Sequence, residues 1–230
     1  MAQRTSTKTA TATQVTTEMP RLALPELLRE PPPTARGVRT RLALVHAARR
    51  VFERDGYLDA RLTDITAEAK CSTGTFYTYF DNKEQIFAAV LEEAQEEMLH
   101  PGVSHVAEDD DDPVAVVEAS NRAYFESYKR NAKLMSLLEQ VANIDARFRE
   151  MRRLRGLAFA ERNGRAIADL QARGLADPSL DPYMAARALS GMVGRLAYSS
   201  YVMGDEQPLD ALVETSTRLW ANALRLPQPD

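Results

Sequence analysis

Two short helical segments joined by a turn of three residues, between Leu62 and Lys83, constrain the fold of this chain most. Apolar residues recur at helical spacing through the first segment, at Leu62, Ile65 and Ala69. Thr63 is predicted to cap this segment, and the second helix is predicted to begin at Ser72 or Thr73. The turn between them, residues 70–72, has the length found in a helix-turn-helix.

The second segment is unusual for a core helix because most of its side chains carry hydroxyl groups. They are Thr73, Thr75, Tyr77, Thr78 and Tyr79. Only Phe76 and Phe80 are clear candidates for burial. Small donors on a protruding helix suit phosphates and base edges in a DNA major groove, so the sequence predicts a DNA-reading helix here. For the two tyrosines, packing against neighbouring helices is the alternative.

Helical periodicity continues through the rest of the chain, and no strand pattern is found. A long helix is predicted over about residues 38–54, with Gly56 as its stop, and another helix is predicted to start near Lys83. Further helices are predicted over about residues 113–130, 134–141, 145–173, 182–203 and 208–226. The chain is therefore predicted to be all-α, with about nine helices.

Charge is distributed unevenly along the chain, whose formal net charge is -4. Residues 36–83 carry nine basic and six acidic side chains, a net charge of +3, whereas residues 84–230 carry a net charge of -8. A basic module on an acidic body is expected when one end of a chain meets a polyanion.

Cysteine usage and hydropathy favour the cytoplasm. The single cysteine, Cys71, excludes an intramolecular disulfide and fits a reducing compartment. No apolar run approaches the roughly 18 residues of a membrane span, and the N-terminus lacks the apolar core of a signal peptide.

The stretch from Ile65 to Lys83 resembles the DNA-binding signature of TetR-family transcriptional regulators. The resemblance is carried by Gly74-Thr75-Phe76-Tyr77, Tyr79-Phe80 and Lys83-Glu84, with Phe52, Gly56 and Tyr57 before them. It implies a homodimeric repressor with an N-terminal three-helix DNA-binding domain and a C-terminal helical domain that binds an inducer and dimerises. The expected boundaries are a disordered extension over 1–35, a DNA-binding domain over 36–83 and the helical domain over 84–226.

Carried over position by position, the resemblance implies contacts with double-stranded operator DNA. The residues concerned are Thr63, Ser72, Thr73, Gly74, Thr75, Tyr77, Thr78, Tyr79 and Lys83. Basic residues before and within the first helix, Arg29, Arg36 and Arg39, are predicted to follow the DNA backbone or a minor groove, although a solvated tail is the simpler interpretation of the extension.

This sequence departs from the family at three neighbouring positions. Thr66 and Lys70 stand where the family commonly has Ala and Gly, and Cys71 lies in the turn. A lysine in so tight a turn is expected to need a positive φ. A phosphate contact is an alternative role for Lys70, and Cys71 is interpreted as a small turn residue rather than a redox sensor.

Aromatic and methionine side chains in the body are what a core needs, yet together they permit a largely apolar pocket. The residues predicted to line it are Phe87, Leu91, Met98, Tyr124, Phe125, Tyr128, Phe148, Met151 and Arg155. Among them Tyr124, Tyr128 or Arg155 would be polar anchors. The expected effector is hydrophobic or amphipathic, such as a lipid-like or aromatic metabolite.

The last two helices are predicted to form a subunit interface. Small residues at spacings of three or four mark the first of them, at Ala186, Ser190, Gly194 and Ala197, and allow another helix to approach closely. The last helix carries an apolar stripe that includes Leu212, Leu219 and Trp220. The resemblance implies a four-helix bundle with the symmetry mates, and packing within one chain is the alternative.

Neither a metal or cofactor site nor an enzyme is predicted. P-loop, Gly-x-Ser-x-Gly and HExxH motifs are absent from the sequence. His100, His105 and the acidic run from Glu108 to Asp112 lack a ligand spacing, so a solvated charge run is preferred. Alternatives that stay open are a regulator without small-molecule input, an activator, and a helical enzyme or scaffold in which the motif is vestigial.

Overall fold

The computed structural model describes residues 27–99 and 112–227, which form nine α-helices and no β-strand. The first four are α1 (Ala35–Asp59), α2 (Leu62–Glu68), α3 (Thr73–Tyr79) and α4 (Lys83–Leu99). The other five are α5 (Pro113–Arg130), α6 (Ala132–Ala142), α7 (Ala146–Ala172), α8 (Pro182–Tyr201) and α9 (Leu209–Leu224). The predicted all-α class is confirmed. Predictions for residues 1–26, His100, His105 and 108–111 fall outside the described residues.

Capping hydrogen bonds and one glycine explain where several of the helices begin or are interrupted. The Thr34 hydroxyl accepts a hydrogen bond from the Gly37 amide, 3.1 Å, and starts α1. Gly56 interrupts α1 with a φ of 80°, a conformation that glycine adopts without steric cost. Asp145 and Asp181 accept from the amides of Arg147 and Met184, and so cap α7 and α8.

The first three helices enclose a small apolar core that continues into the body. Phe76 from α3 and Phe80 after it are buried in this core, as predicted. From α4, Phe87 meets Phe52 at a centroid distance of 4.9 Å and Phe148 of α7 at 5.2 Å. Helix α4 packs against α1 and against α5, α6 and α7, so it connects the N-terminal helices with the body, and α1 also packs directly against α6.

Within the body, α7 packs closely against α8, and α5 packs closely against α9. Along α7 and α8 the backbones come close, since a Cβ on Gly164 would lie 3.4 Å from the Cα of Tyr183. Helices α5 and α9 are joined by the buried hydrogen bond from Asn121 to Thr217, 3.2 Å. None of the helices within the described part of the chain is long and apolar enough to span a membrane.

Candidate DNA-binding surface and ligand cavity

Helix α3 presents a polar outer face because its two phenylalanines point into the core. Ser72 caps it by accepting from the Thr75 amide, 3.1 Å, and the Thr78 hydroxyl donates to the Gly74 carbonyl, 3.2 Å. These bonds hold the helix in place. Thr73 and Gly74 are exposed, and Tyr77 is 51% exposed.

Most of the residues predicted to touch DNA lie at the surface. The exposed ones are Arg39, Thr63, Ser72, Thr73, Gly74, Tyr77 and Thr78. Thr75, Tyr79 and Lys83 are half-buried. Tyr79 packs against the core, which is the alternative that the sequence left open for it.

The prediction that Thr63 caps α2 is wrong. Helix α2 starts at Leu62 with Arg61 in the capping position, and no side chain accepts a bond there. Thr63 is therefore the second residue of the helix, and its carbonyl accepts a hydrogen bond from the Thr66 hydroxyl, 3.1 Å. Its own side chain stays exposed.

Lys70 occupies the strained turn that the sequence predicted. Its φ is 53°, in the left-handed region that glycine tolerates best. Its side chain is exposed. Next to it, burial raises the pKa of the Cys71 thiol, which disfavours the reactive thiolate and agrees with a small turn residue.

Lys83 has partners within the chain that the sequence did not indicate. Its ammonium donates to the carbonyl oxygens of Tyr57, Leu58 and Ala60 at 2.8, 3.1 and 3.1 Å. It also lies 4.8 Å from the centroid of the Tyr57 ring. The predicted phosphate contact would require this ammonium to release a carbonyl.

Arg29 also has partners within the chain, on α3 and just after it. Its guanidinium donates to the carbonyls of Tyr77 and Thr78, at 3.4 and 3.2 Å, and pairs with the Asp81 carboxylate. It thus satisfies carbonyl oxygens that a helix end leaves open. Nothing in the local sequence around Arg29 signals this contact across 48 residues.

Exposed cations surround the N-terminal helices. Those without a carboxylate partner among the residues the structure places are Arg36, Arg39, Arg61 and Lys70. By contrast, Arg50 pairs with Glu68 at 2.7 Å. The unpaired cations leave the α1–α3 region available to a polyanion, in keeping with its positive net charge.

A cavity of about 1140 Å³ lies in the body between α5, α7, α8 and α9. The three predicted polar anchors, Tyr124, Tyr128 and Arg155, line it. An Arg155 amino group donates to the Tyr124 hydroxyl, 3.3 Å. Burial raises the pKa of the Tyr128 phenol, so that hydroxyl stays protonated.

The other six residues predicted to contact a ligand do not line this cavity. Side chains that fill the core and do not line the cavity are Phe87, Leu91, Met98, Phe125, Phe148 and Met151. All six are completely buried. A periodic apolar residue has the same sequence pattern whether it packs against a helix or borders a void, so the sequence could not separate the two.

The predicted subunit-interface residues are mostly used within the chain. Ala186, Ala197, Leu212 and Trp220 are buried, Ser190 accepts from the Asn163 amide at 2.8 Å, and a Cβ on Gly194 would lie 3.4 Å from the Tyr124 hydroxyl. Only Leu219 of the predicted set is exposed, at 43%. The small residues do allow close approach, but α7 and α5 of the same chain occupy the space.

Arg162 is a cavity residue that sequence reasoning missed. Its guanidinium donates to the carbonyl of Leu99 and to the Asn163 side chain, 3.1 Å. Burial lowers its pKa. An arginine on a long helix is normally interpreted as a solvated residue, so no motif marks it.

Metal binding has no support in the part of the chain that the structure describes. No group of three or more His, Cys, Asp or Glu side chains lies there in positions to hold an ion.

The sequence profile described as "Bacterial regulatory proteins, tetR family" matches residues 44–90. YdgC of Bacillus subtilis (strain 168), an uncharacterized HTH-type transcriptional regulator, is 37% identical over 25% of this chain and 29% of its own length. The HTH-type transcriptional regulator TtgR of Pseudomonas putida is 25% identical over 81% of this chain and 92% of its length. The chain thus spans less than a third of YdgC and most of TtgR.

Solved structures share the fold over most of this chain at low identity. SmeT, the repressor of the Stenotrophomonas maltophilia multidrug efflux pump SmeDEF, aligns with a TM-score of 0.65 and 22% identity over 80% of this chain and 89% of its own. A SmeT-triclosan complex aligns with a TM-score of 0.67 and 20% identity over 84% of this chain and 99% of its own.

Proposed function

This chain is a DNA-binding transcriptional regulator of the TetR family and not an enzyme, and from that premise we propose that it acts as a cytoplasmic homodimeric repressor. In this proposal two copies bind a pseudo-palindromic operator, and a small molecule in the body releases them. The family profile and the fold support the assignment as a regulator. The exposed face of α3 supports operator binding, and the cavity supports release by a small molecule.

The exposed hydroxyl face of α3 is the observation that carries the DNA-binding step. Thr73, Gly74 and Tyr77 stand at its surface while Phe76 and Phe80 fix the helix from below. Such a helix can enter the major groove with its N-terminal residues at base edges. The exposed cations of α1, α2 and the turn would neutralise backbone phosphates.

Dimerisation is proposed through the outer faces of α8 and α9, not through the small residues first predicted. Exposed positions at helical spacing on these two helices are Met184, Ala188, Ala211, Leu219 and Ala223. They combine apolar with small side chains, which suits a partner helix at close range. A two-fold axis through this face would present two α3 helices to successive major grooves.

Release by a ligand is proposed to act through α4. This helix packs against α1 on one side and against α5, α6 and α7 on the other. A ligand that favours a different arrangement of the body would shift α4 and change the separation of the two α3 helices. By linkage, ligand and operator then weaken each other's binding, typically by about 1–3 kcal/mol.

Operator mapping on purified protein tests the proposal. Genomic DNA fragments retained by the full chain are sequenced and footprinted, and the mass of the complex is measured. We expect two half-sites about one helical turn apart, occupied by two copies. A single unrepeated site bound by one copy would contradict the dimeric mechanism.

A further inference from the structure

We propose that the cavity selects a small amphipathic acid, whose negative group lies beside Arg155 and Arg162 and whose apolar part lies along the surrounding wall. This inference rests on the ligand site of the proposed function and adds the chemical class of the ligand. It narrows the expected hydrophobic or amphipathic effector to one that carries a negative group, because the cavity contains positive charge without a negative partner.

Two guanidinium groups converge on one aromatic ring of α7. Arg155, Phe159 and Arg162 are spaced four and three residues apart, which places them on the same face of the helix. The Arg155 guanidinium carbon lies 5.5 Å from the centroid of the Phe159 ring, and that of Arg162 lies 5.2 Å from it. Two positive charges beside one ring repel each other, and an anion bound near both would offset that repulsion.

Arg149, Arg187 and Arg195 of the cavity wall also lack a carboxylate partner among the described residues, but they are exposed to solvent, whereas Arg155 and Arg162 are half-buried. Three other arginines of the wall have carboxylate partners. The pairs are Arg152 with Glu139 at 2.5 Å, Arg153 with Glu150 at 2.6 Å and Arg173 with Asp169 at 3.6 Å. Among the residues that the structure places, Arg155 and Arg162 have no carboxylate within ion-pair distance. Positive charge is therefore uncompensated where these two side chains lie, and compensated where the three pairs form.

The partners of the two inner guanidiniums are neutral. Arg155 donates to the Tyr124 hydroxyl and approaches the Met98 sulfur at 3.9 Å, while its Nε is buried without a hydrogen-bond partner. Arg162 donates to an amide oxygen and a backbone carbonyl. A buried charge is costly unless it is paired, and the burial that lowers the Arg162 pKa reflects this cost. A bound carboxylate or similar anion would supply the missing charge.

Apolar residues complete the wall and set the rest of the ligand. They include Val117, Leu157, Ile167, Leu170, Val193 and Trp220. A cavity of about 1140 Å³ exceeds what a bare inorganic anion would fill and suits a ligand of drug-like size. Charge at one place and apolar surface around it point to a molecule with one acidic group and an apolar body.

A matched pair of fluorescent probes tests the inference on the full chain without DNA. 1-Anilinonaphthalene-8-sulfonate and N-phenyl-1-naphthylamine differ only by the sulfonate, and both fluoresce in apolar sites. Energy transfer from Trp220, the single tryptophan and a cavity residue, reports binding at this site. We expect the sulfonate probe to bind at least about tenfold more tightly than the neutral probe, or about 1.4 kcal/mol.

Substitutions assign the preference to the two arginines. In Arg155→Met and Arg162→Met we expect the sulfonate probe to lose at least about tenfold in affinity while the neutral probe changes less than about twofold. Arg165→Met on the same helix is the control, since Arg165 does not line the cavity and pairs with Glu161 at 3.1 Å; its preference for the sulfonate probe should match that of the native chain. Decanoate should displace the sulfonate probe, and decanamide should not.

Equal affinity of the two probes for the native chain would overturn the inference, and so would a preference that survives both substitutions. The native comparison needs no variant, so it holds even if a variant fails to fold. An acid that binds the cavity but does not release the operator would refute ligand control of DNA binding and leave the acid preference standing.

Discussion

The ammonium of Lys83, at the first residue of α4, donates to the carbonyl oxygen of Tyr57 at 2.8 Å. The same group donates to Leu58 and Ala60, so all three of its N–H bonds are used. This contact closes the end of α1 onto the start of α4. Lys83 therefore joins the end of α1 to α4, the helix that leads into the body.

Replacing Lys83 tests that role. Lys83→Met leaves three carbonyls without this donor and removes the contact with the Tyr57 ring, so we expect the free energy of unfolding to fall by about 1–3 kcal/mol. Urea denaturation measures it, with Lys133→Met, an exposed lysine of α6, as the control.

The same variant separates a structural role from a phosphate contact. Because its N–H groups are already used, we expect Lys83→Met to leave the slope of log affinity against log salt unchanged. A decrease of about one unit would show that the ammonium turns to a phosphate in the complex.

Lys70 is expected to limit stability through its backbone. Its φ of 53° costs a side chain about 1–2 kcal/mol, whereas glycine loses about 0.5–1 kcal/mol through greater freedom when unfolded. Lys70→Gly should therefore raise the free energy of unfolding by about 0.5–1 kcal/mol. Lys70→Ala keeps the strain and should bring no gain; equal stability of the two variants would exclude this explanation.

Asn131, between α5 and α6, connects α1 and α4 at the junction between the N-terminal helices and the body. Its side chain accepts from Arg49 of α1 at 2.7 Å and donates to Glu97 of α4 at 3.2 Å. It is completely buried, so Asn131→Ala should lower the free energy of unfolding by about 1–3 kcal/mol. Asn143→Ala, at an exposed helix end, serves as the control in the same urea titration, and equal losses would remove the special role of Asn131.

Glu92 is expected to make stability depend on pH. Burial raises the pKa of its carboxyl, an effect opposed by the charge of Arg41 and reinforced by Glu96. The folded state then binds the proton more tightly than the unfolded state, so stability falls as pH rises from the ordinary carboxyl pKa through the raised value. Glu92→Gln should be more stable than the native chain at pH 7 and should lose that gain near pH 4.

Urea titrations at both pH values measure the difference. Glu206→Gln, in an exposed loop, is the control and should show no gain at either pH. A gain for Glu92→Gln that persists unchanged at pH 4 would contradict the burial argument.

Local signals in the sequence were sufficient to predict most helices and the buried side of α3. Gly56 stops regular helix where its φ requires glycine, and Asp145 caps where the sequence changes from turn to periodic residues. Phe76 and Phe80 were identified as buried because the remaining residues of α3 are polar. These features depend on neighbours within a few positions, which is why the chain alone reveals them.

Which side chains line the cavity or form an interface depends on contacts between residues that lie far apart in the sequence. Phe148 fills the core and Phe159 borders the cavity, although both are periodic aromatic residues of α7. Ala186 and Ala197 allow a helix to approach, but the pattern does not say that the helix belongs to the same chain. Arg162 acquires its role only when the fold places it beside Phe159.

The operator affinity of α3 variants tests whether the exposed face of this helix reads DNA. Fluorescence anisotropy with the mapped operator, at one fixed moderate salt concentration, compares Thr73→Ala and Tyr77→Ala with the exposed α9 control Thr215→Ala. We predict that both α3 variants unfold like the native chain but lose about 1–3 kcal/mol of binding free energy, while the control binds normally. Native affinity in both α3 variants would show that this face does not read DNA.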